Sequence, residues 1–279
     1  MNLRKSLMVL LSAMFFIFLA ACSSDSSSEV SQNNASNEPE EKETITLKVA
    51  SYFADNSTAY RYSVKPWMDQ VTEDTNGQVQ FEYYPSEQLG KAADLLHLTG
   101  DKVADISMLP TIYFPSEMPL TAALTNMPGL SESANQGSMA YFDLLQQSSE
   151  LLERDYLSNG VRPLLAQNSP PYQIWTKNKE IRVPADLKGM KIKTAGGISS
   201  EFFESIGSVP VSVPFPELYE AVDRDVIDAI SLDATPLDTS GVADVINNGL
   251  ITNYGTSLVA LVINEQVWQS LPDNVKEVM

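Results

Sequence analysis

The stretch 79-VQFEYYPSEQLGKAADLLHLTGDKVADISML-109 decides the fold class of this chain. Large side chains alternate with polar ones in "VQFEYY", so Val79, Phe81 and Tyr83 share one face of a predicted strand. The segment "KAADLLHLTG" has the apolar spacing of a helix, and "KVADISML" predicts the next strand. Strands that are joined through a helix usually lie parallel in one sheet. The stretch therefore predicts a βαβ unit.

The segment before this unit extends the same pattern toward the N-terminus. In "ITLKVASYF", Ile45, Leu47 and Val49 alternate as in a strand, and a helical region then runs towards "VTEDTNG". Pro66 is expected to start or kink a helical segment in this region, and Gly77 is expected to end it. The order β-α-β-α-β predicts an α/β sheet with mostly parallel pairing.

The second half of the chain shows a related order of elements. "IRVPADLKGMKIKT" predicts a short helix and a strand, "SEFFESIG" a helix, "SVPVSV" an extended segment, "FPELYEAVDR" a helix and "DVIDAISL" a strand. We therefore expect two similar α/β lobes that face each other. Ligands of open α/β sheets bind beyond the carboxyl ends of strands, which places the site in an interlobe cleft closed by a hinge. The candidate cleft loops are Tyr52–Asn56, Met108–Tyr113, Ser169–Trp175, Lys193–Gly197, Val213–Glu217 and Ser231–Asp233.

Composition and motifs argue against several classes of function. The 279-residue chain carries 18 basic and 36 acidic residues, a net charge of −18, which gives nucleic-acid phosphates little to bind. Its single cysteine allows neither an intrachain disulfide nor a cysteine-rich zinc site. The sequence has no Walker loop, no GxGxxG after a strand and no GxSxG elbow, and the lone His97 is expected to pack in a helix. We therefore expect a binding protein without catalysis, metal or cofactor.

The N-terminal region predicts an export signal and a tether. Arg4 and Lys5 precede the apolar run "LMVLLSAMFFIFLAA", which is shorter than a typical membrane span. Its end, "LAAC", resembles the lipobox of bacterial lipoproteins, in which the cysteine is acylated after cleavage. We expect residues 1–21 to be removed, Cys22 to carry a lipid anchor, and the polar segment 22–43 to form a flexible linker. The alternative is an ordinary signal that ends at a structural cysteine. The predicted location is the outer face of the bacterial cell membrane.

Four segments together carry a resemblance to a known family. "TEDTNGQV", "FEYYPSEQLG", "DLKGMKIKTAGG" and "VPVSVPFPELYEAVDRDVIDA" are similar to segments of the DctP-like substrate-binding proteins of TRAP transporters. The resemblance covers residues 44–279. It implies a two-lobed periplasmic-binding-protein-like fold of the class II type, which closes on a small organic acid and delivers it to membrane permease subunits. It also implies lobe I at 44–167, lobe II at 168–250 and a return crossing at 251–279, with further C-terminal helices of the family expected to be missing.

Lys193 is the residue expected to anchor the acid. The family usually has an arginine in this strand that pairs with the ligand carboxylate, and Lys193 is the matching residue. Because side chains alternate along a strand, Lys191 and Lys193 share a face, but Lys193 is nearer the carboxyl end, where the cleft is expected. Lys188 and Lys191 are expected to be solvated. Lysine offers a compact point charge, whereas arginine grips a carboxylate with two prongs.

Further ligand contacts follow from the same resemblance. They are Asn56, Tyr172, Gln173, Trp175, Phe215 and Asp233. Gln173 falls near a second basic contact of sialic-acid-binding members and would supply hydrogen bonds without charge. Tyr172 and Trp175 would flank it with apolar surface, or else be ordinary core aromatics. Asp233 would bind a ligand hydroxyl, an amine or a cation. A single charged contact favours a monocarboxylate or a partly neutral ligand over a dicarboxylate.

Other functions are compatible with this predicted fold. An ABC-type solute-binding lipoprotein would serve an ATP-driven permease, and a ligand-sensing module would serve a membrane kinase. An extracellular enzyme is the least favoured function, because the candidate cleft loops contain no histidine or cysteine.

Overall fold

The computed structural model describes residues 43–125, 127 and 129–279, so the predicted signal sequence and Cys22 lie outside the described residues. Within these residues, ten strands form two five-stranded sheets. Numbered along the chain, the strands are β1 (Ile45–Ala50), β2 (Val79–Tyr84), β3 (Ile106–Pro110), β4 (Val161–Asn168), β5 (Gln173–Thr176), β6 (Lys191–Lys193), β7 (Val209–Val211), β8 (Ala229–Leu232), β9 (Asn248–Leu250) and β10 (Leu258–Asn264).

Most helices of the described residues are short. They are α1 (Lys65–Asp74), α2 (Leu95–Gly100), α3 (Pro119–Leu124), α4 (Ala134–Gln147), α5 (Ser149–Leu151), α6 (Gly197–Ser205), α7 (Leu218–Asp223), α8 (Thr235–Thr239), α9 (Glu265–Ser270) and α10 (Asp273–Lys276). A π-helical segment, Tyr60–Val64, leads directly into α1, and Pro66 is the second residue of α1, next to the change from π-helical to α-helical hydrogen bonding. None of these helices combines the length and the apolar character that a membrane crossing requires.

The first sheet has the spatial order β2-β1-β3-β10-β4. β1 lies parallel to both β2 and β3, which confirms the βαβαβ unit predicted from the sequence. The expectation of mostly parallel pairing is wrong, however, because β10 is inserted antiparallel between β3 and β4. All seven residues of β10 are buried, as expected for a central strand that is covered on both faces.

The second sheet repeats this arrangement place for place, in the order β7-β6-β8-β5-β9. β6 lies parallel to β7 and β8, and β5 lies antiparallel to β8 and β9. In each sheet the fourth strand is the one that the chain enters from the other sheet, β10 in the first and β5 in the second. Two similar lobes, as the sequence predicted, therefore meet where the chain crosses between them.

Each sheet has its own hydrophobic core. One large cluster covers the first sheet and includes Leu47, Val49 and Leu261. Two smaller clusters belong to the second sheet: one contains Leu218 of α7, and the other contains Phe203 of α6. Each lobe is therefore stabilised by buried apolar surface of its own.

The chain crosses between the sheets twice, at residues 169–172 and 251–257. The two crossing segments are hydrogen-bonded to each other. The Ser169 N–H donates to the Ser257 carbonyl (2.8 Å), and the Tyr172 N–H donates to the Gly255 carbonyl (2.7 Å). This paired connection lies where the hinge between the lobes is expected, and residues 169–172 and 251–257 are called the hinge below.

Candidate ligand-binding site

A cavity of about 350 Å³ lies between the two sheets, beside the ends of their strands. Each of the cleft loops expected from the sequence contributes to its wall. The contributing residues of these loops are Tyr52, Phe53, Pro110, Ile112, Tyr113, Ser169, Pro170, Tyr172, Lys193, Ala195, Phe215, Leu232 and Asp233. The rule that ligands bind beyond the carboxyl ends of strands therefore located this cavity correctly.

Lys193 is the last residue of β6, and its side chain is buried in the cavity wall at 3% exposure. β6 is paired on both edges, by β7 and β8, so hydrogen bonding to two neighbouring strands fixes the backbone position of Lys193. No described residue forms a hydrogen bond or an ion pair with its ammonium group, whose Nζ lies 5.9 Å from the centroid of the Phe215 ring. Lys188 and Lys191 are exposed, as expected from strand polarity.

Lys193 and Asp233 are the only charged side chains among the described residues that line the cavity. Burial lowers the pKa of Lys193 to about 8, and the nearby Asp233 carboxylate opposes this shift. Burial also raises the pKa of Asp233, while a hydrogen bond from the Thr235 N–H to Oδ1 (2.9 Å) favours the ionised form. In both cases burial removes the hydration that would stabilise the charged form of the side chain. A complementary group on a ligand would therefore stabilise that charged form.

Aromatic side chains form another part of the cavity wall. The Phe215 ring of the second lobe lies 5.6 Å from Phe53 and 6.3 Å from Tyr52 of the first lobe, in edge-to-face geometry. Burial raises the pKa of Tyr52, Tyr113 and Tyr172, so their phenols stay protonated at neutral pH. The wall therefore offers apolar ring faces together with neutral hydroxyl groups.

The structure brings together some of the residues expected to contact the ligand and leaves others outside the cavity wall. Lys193, Tyr172, Phe215 and Asp233 line the cavity. The remaining three, Asn56, Trp175 and Gln173, do not line it.

Asn56 and Trp175 have other surroundings. The Asn56 side chain is exposed at the surface, and the neighbouring Ser57 and Thr58 line the cavity in its place. The Trp175 indole N–H donates to the Leu232 carbonyl (2.8 Å), and its ring lies over Gly249, where any Cβ would approach it to 2.5 Å. Trp175 is therefore a packing residue of the second sheet.

Gln173 joins the second crossing segment to β5. Its Oε1 accepts hydrogen bonds from the backbone N–H groups of Thr252 (2.7 Å) and Asn253 (3.1 Å). Its Nε2 donates to Asn253 Oδ1 (2.6 Å) and to the Pro171 carbonyl (3.1 Å). Both the oxygen and the nitrogen of the Gln173 side-chain amide are thus hydrogen-bonded to the two crossing segments.

Substituting Gln173 with alanine tests this role in the hinge. We expect Gln173→Ala to lower the free energy of unfolding by about 1 kcal/mol, because it removes the acceptor of two partly buried backbone N–H groups, those of Thr252 and Asn253. Denaturant unfolding measures the change, and Gln80→Ala, at an exposed glutamine of β2, is the control. A large loss of ligand affinity at unchanged stability would contradict the hinge role and restore Gln173 as a ligand contact.

One polar part of the wall was not foreseen from the sequence. It is formed by the end of β4 and by α4, and includes Gln167, Asn168 and Ser138. The Asn168 N–H donates to Ser138 Oγ (2.8 Å) and its Nδ2 to Ser131 Oγ (2.9 Å), whereas the buried Oδ1 has no partner among the described residues. A Cβ at Gly137 would lie 2.1 Å from Asn168 Nδ2. The glycine inside "ANQGSMAYF" was the available signal, since a glycine within a helix often marks close approach.

Comparison with known proteins identifies the family. The model of the DctP family, bacterial extracellular solute-binding protein family 7, matches residues 49–279. The chain belongs to this family. A DctP-family relative is the C4-dicarboxylate-binding periplasmic protein of Rhodobacter capsulatus, which is 23% identical over 218 residues, covering 72% of this chain and 60% of the relative.

Solved DctP-type structures share this fold. A TRAP solute-binding protein of Rhodoferax ferrireducens, in complex with copurified benzoate, is 26% identical with a TM-score of 0.75, covering 84% of this chain and 73% of that one. A marine metagenome TRAP solute-binding protein specific for aromatic acids, with bound 3-hydroxybenzoate, is 27% identical with a TM-score of 0.75. The match covers 85% of this chain and 73% of that one. These similarities confirm the predicted two-lobed solute-binding fold and favour a TRAP solute-binding protein over an ABC-type or sensor protein.

Proposed function

We propose that this protein binds a small organic monocarboxylate without catalysis and delivers it to TRAP permease subunits in the membrane. The observation that carries the proposal is the buried ammonium group of Lys193, which faces the cavity and has no anionic partner in contact among the described residues. A ligand carboxylate would supply that partner through a charge-assisted hydrogen bond. A dicarboxylate would bring a second negative charge into a cavity that already contains Asp233.

The proposal is tested by mass spectrometry of ligand released from the purified protein, followed by calorimetric titration with aliphatic and aromatic mono- and dicarboxylates. We expect an acid with one carboxylate to be released and to bind most tightly. Tighter binding of dicarboxylates would contradict the choice of a monocarboxylate. Absence of binding by every acid in the series would contradict carboxylate binding as such.

The affinity for the acid is expected to depend on pH in the alkaline range. A bound carboxylate favours the charged form of Lys193, so its pKa is higher in the complex than the value of about 8 in the free protein. Below pH 8 the free protein already carries the positive charge, and affinity is constant. Above pH 8 affinity falls by up to about tenfold per pH unit, because binding then requires uptake of a proton. Titrations between pH 6.5 and 9.5 measure this slope, and a flat profile would contradict the role of Lys193.

We also propose that the mature protein is anchored by lipid at Cys22 on the outer face of the cell membrane. The apolar run followed by "LAAC" supports this location, as does membership in an extracellular solute-binding family. Cys22→Ser is expected to move the full-length protein from the detergent phase to the aqueous phase in Triton X-114 partitioning. Unchanged partitioning would contradict acylation at this residue.

A further inference from the structure

We infer that Asp233 is a specificity-determining residue, which selects aromatic monocarboxylic acids that carry a hydrogen-bond donor, a hydroxyl or an ammonium group, opposite the carboxylate. The inference deepens the proposed function and rests on it, because it requires that Lys193 holds the carboxylate. It adds the chemical class of the ligand and assigns a second polar contact.

The two charged groups of the cavity come from neighbouring strands. Lys193 ends β6 and pairs with Ile230 of β8, and Asp233 follows directly after β8. Both line the cavity, yet they form no ion pair with each other. A direct pair would neutralise both charges, whereas separated charges leave one donor and one acceptor for a ligand to bridge.

The Asp233 carboxylate lines the cavity and can still accept a hydrogen bond from a ligand. Its Oδ1 accepts the Thr235 N–H (2.9 Å), which fixes the orientation of the side chain. The Thr235 hydroxyl and the Asp233 backbone N–H also favour the ionised carboxylate, and because a carboxylate has about four acceptor positions, at least one remains for a donor on the ligand. Because the side chain is only 6% exposed, an unused acceptor there is costly, and a donor on the ligand would satisfy it.

A second acceptor points to the same chemistry. Asn168 lines the cavity at 6% exposure, and its Oδ1 accepts no hydrogen bond from any described residue. Two buried acceptors in one cavity, Asp233 and Asn168, favour a ligand that carries a donor over a plain hydrocarbon acid. A second carboxylate on the ligand could not satisfy these acceptors, because an ionised carboxylate donates no hydrogen bond.

The aromatic walls indicate that the ligand contains a ring. Tyr52, Phe53 and Phe215 approach each other edge-to-face or tilted, and Tyr113 and Tyr172 line the same space. Such surfaces pack best against a flat ring, and a cavity of about 350 Å³ is at the small end of ligand pockets. The combination of ring, single carboxylate and donor defines the class.

The test compares four acids by calorimetric titration of the whole protein: benzoate, 3-hydroxybenzoate, 3-(aminomethyl)benzoate and isophthalate. We expect the hydroxyl- and ammonium-bearing acids to bind at least about tenfold more tightly than benzoate, and isophthalate to bind at least about tenfold more weakly than benzoate. The acids share one ring and one carboxylate position, so the differences report only on the second substituent.

Two variants assign the preference to Asp233. Asp233→Asn keeps an acceptor for the Thr235 N–H and removes the charge, so it should abolish the advantage of the ammonium group and reduce the discrimination against isophthalate. Asp233→Leu should abolish the advantage of both donor-bearing acids. Circular dichroism confirms that each variant is folded. Persistence of the wild-type order of affinities in Asp233→Leu overturns the inference.

The outcomes separate this inference from the proposed function. Equal binding of all four acids overturns the role of Asp233 but leaves carboxylate binding intact. Binding of aliphatic monocarboxylates alone overturns the aromatic class and likewise leaves the proposed function intact. Failure of every carboxylate to bind overturns both.

Discussion

Replacing Lys193 with methionine is expected to lower the affinity for the acid ligand by about 100-fold or more. The variant leaves the ligand carboxylate buried in the cavity without a cation, and truncating one partner of such a pair costs about 2–5 kcal/mol. The same change is expected to raise the stability of the ligand-free protein. Its buried ammonium group has no anionic partner in contact among the described residues, so methionine removes an uncompensated charge while filling similar space.

The opposite signs of the two effects make this test sharp. Calorimetric titration measures the affinity, and thermal unfolding without ligand measures the stability. Lys191→Met is the matched control, because Lys191 lies on the same strand but is exposed, and we expect neither quantity to change much. Lys193→Arg should retain most of the affinity, since it retains the cation. Binding by Lys193→Met within threefold of the wild type would show that Lys193 is not the anchor.

Replacing Phe203 with alanine is expected to lower the free energy of unfolding by about 3–5 kcal/mol. Phe203 is fully buried in α6 and packs in the cluster that contains Ile192, the neighbour of Lys193. For a chain of this size, we expect the midpoint of thermal unfolding to fall by roughly 6–20 °C. The truncation also removes support from behind β6, so ligand affinity should fall with stability.

Phe202 provides the matched control for this prediction. It precedes Phe203 in the same helix, is 43% exposed, and stacks on Tyr254 with ring centroids 5.7 Å apart. Phe202→Ala is expected to cost about 1–2 kcal/mol, because nearly half of the side chain is already in contact with water and its removal leaves no enclosed cavity. Equal shifts in the unfolding midpoint for the two variants would contradict the assignment of Phe203 to the core.

The position of Lys193 could be predicted because it follows from local rules. Alternation placed Lys193 on one face of its strand, and the direction of the strand placed it at the end beside the cavity. The same alternation explains why Gln173 and Trp175 lie outside the cavity wall. A shift of one residue in a strand exchanges its two faces, so Tyr172 lines the cavity while Gln173 and Trp175 point elsewhere.

Contacts between distant segments could not be predicted in this way. The polar wall at Asn168 depends on the close approach of α4 to the end of β4, which Gly137 permits. The surroundings of His97 could not be predicted either. It lies in α2 as expected, but its side chain is 61% exposed instead of packed, and its Nε2 lies 3.8 Å from Glu117 Oε1.

The sequence by itself determined the order of strands and helices within each βαβαβ unit, the presence of two similar α/β halves, the cleft loops and the place of the lysine. These properties depend on hydrophobic periods and strand direction, which are local features of the chain. Only the tertiary structure decided that β10 and β5 enter their sheets antiparallel, that Gln173 bonds to the crossing segment, and that Asn168 lines the cavity. The reason is physical: which segments pair is fixed by the burial of whole faces against one another, and no local pattern encodes that choice.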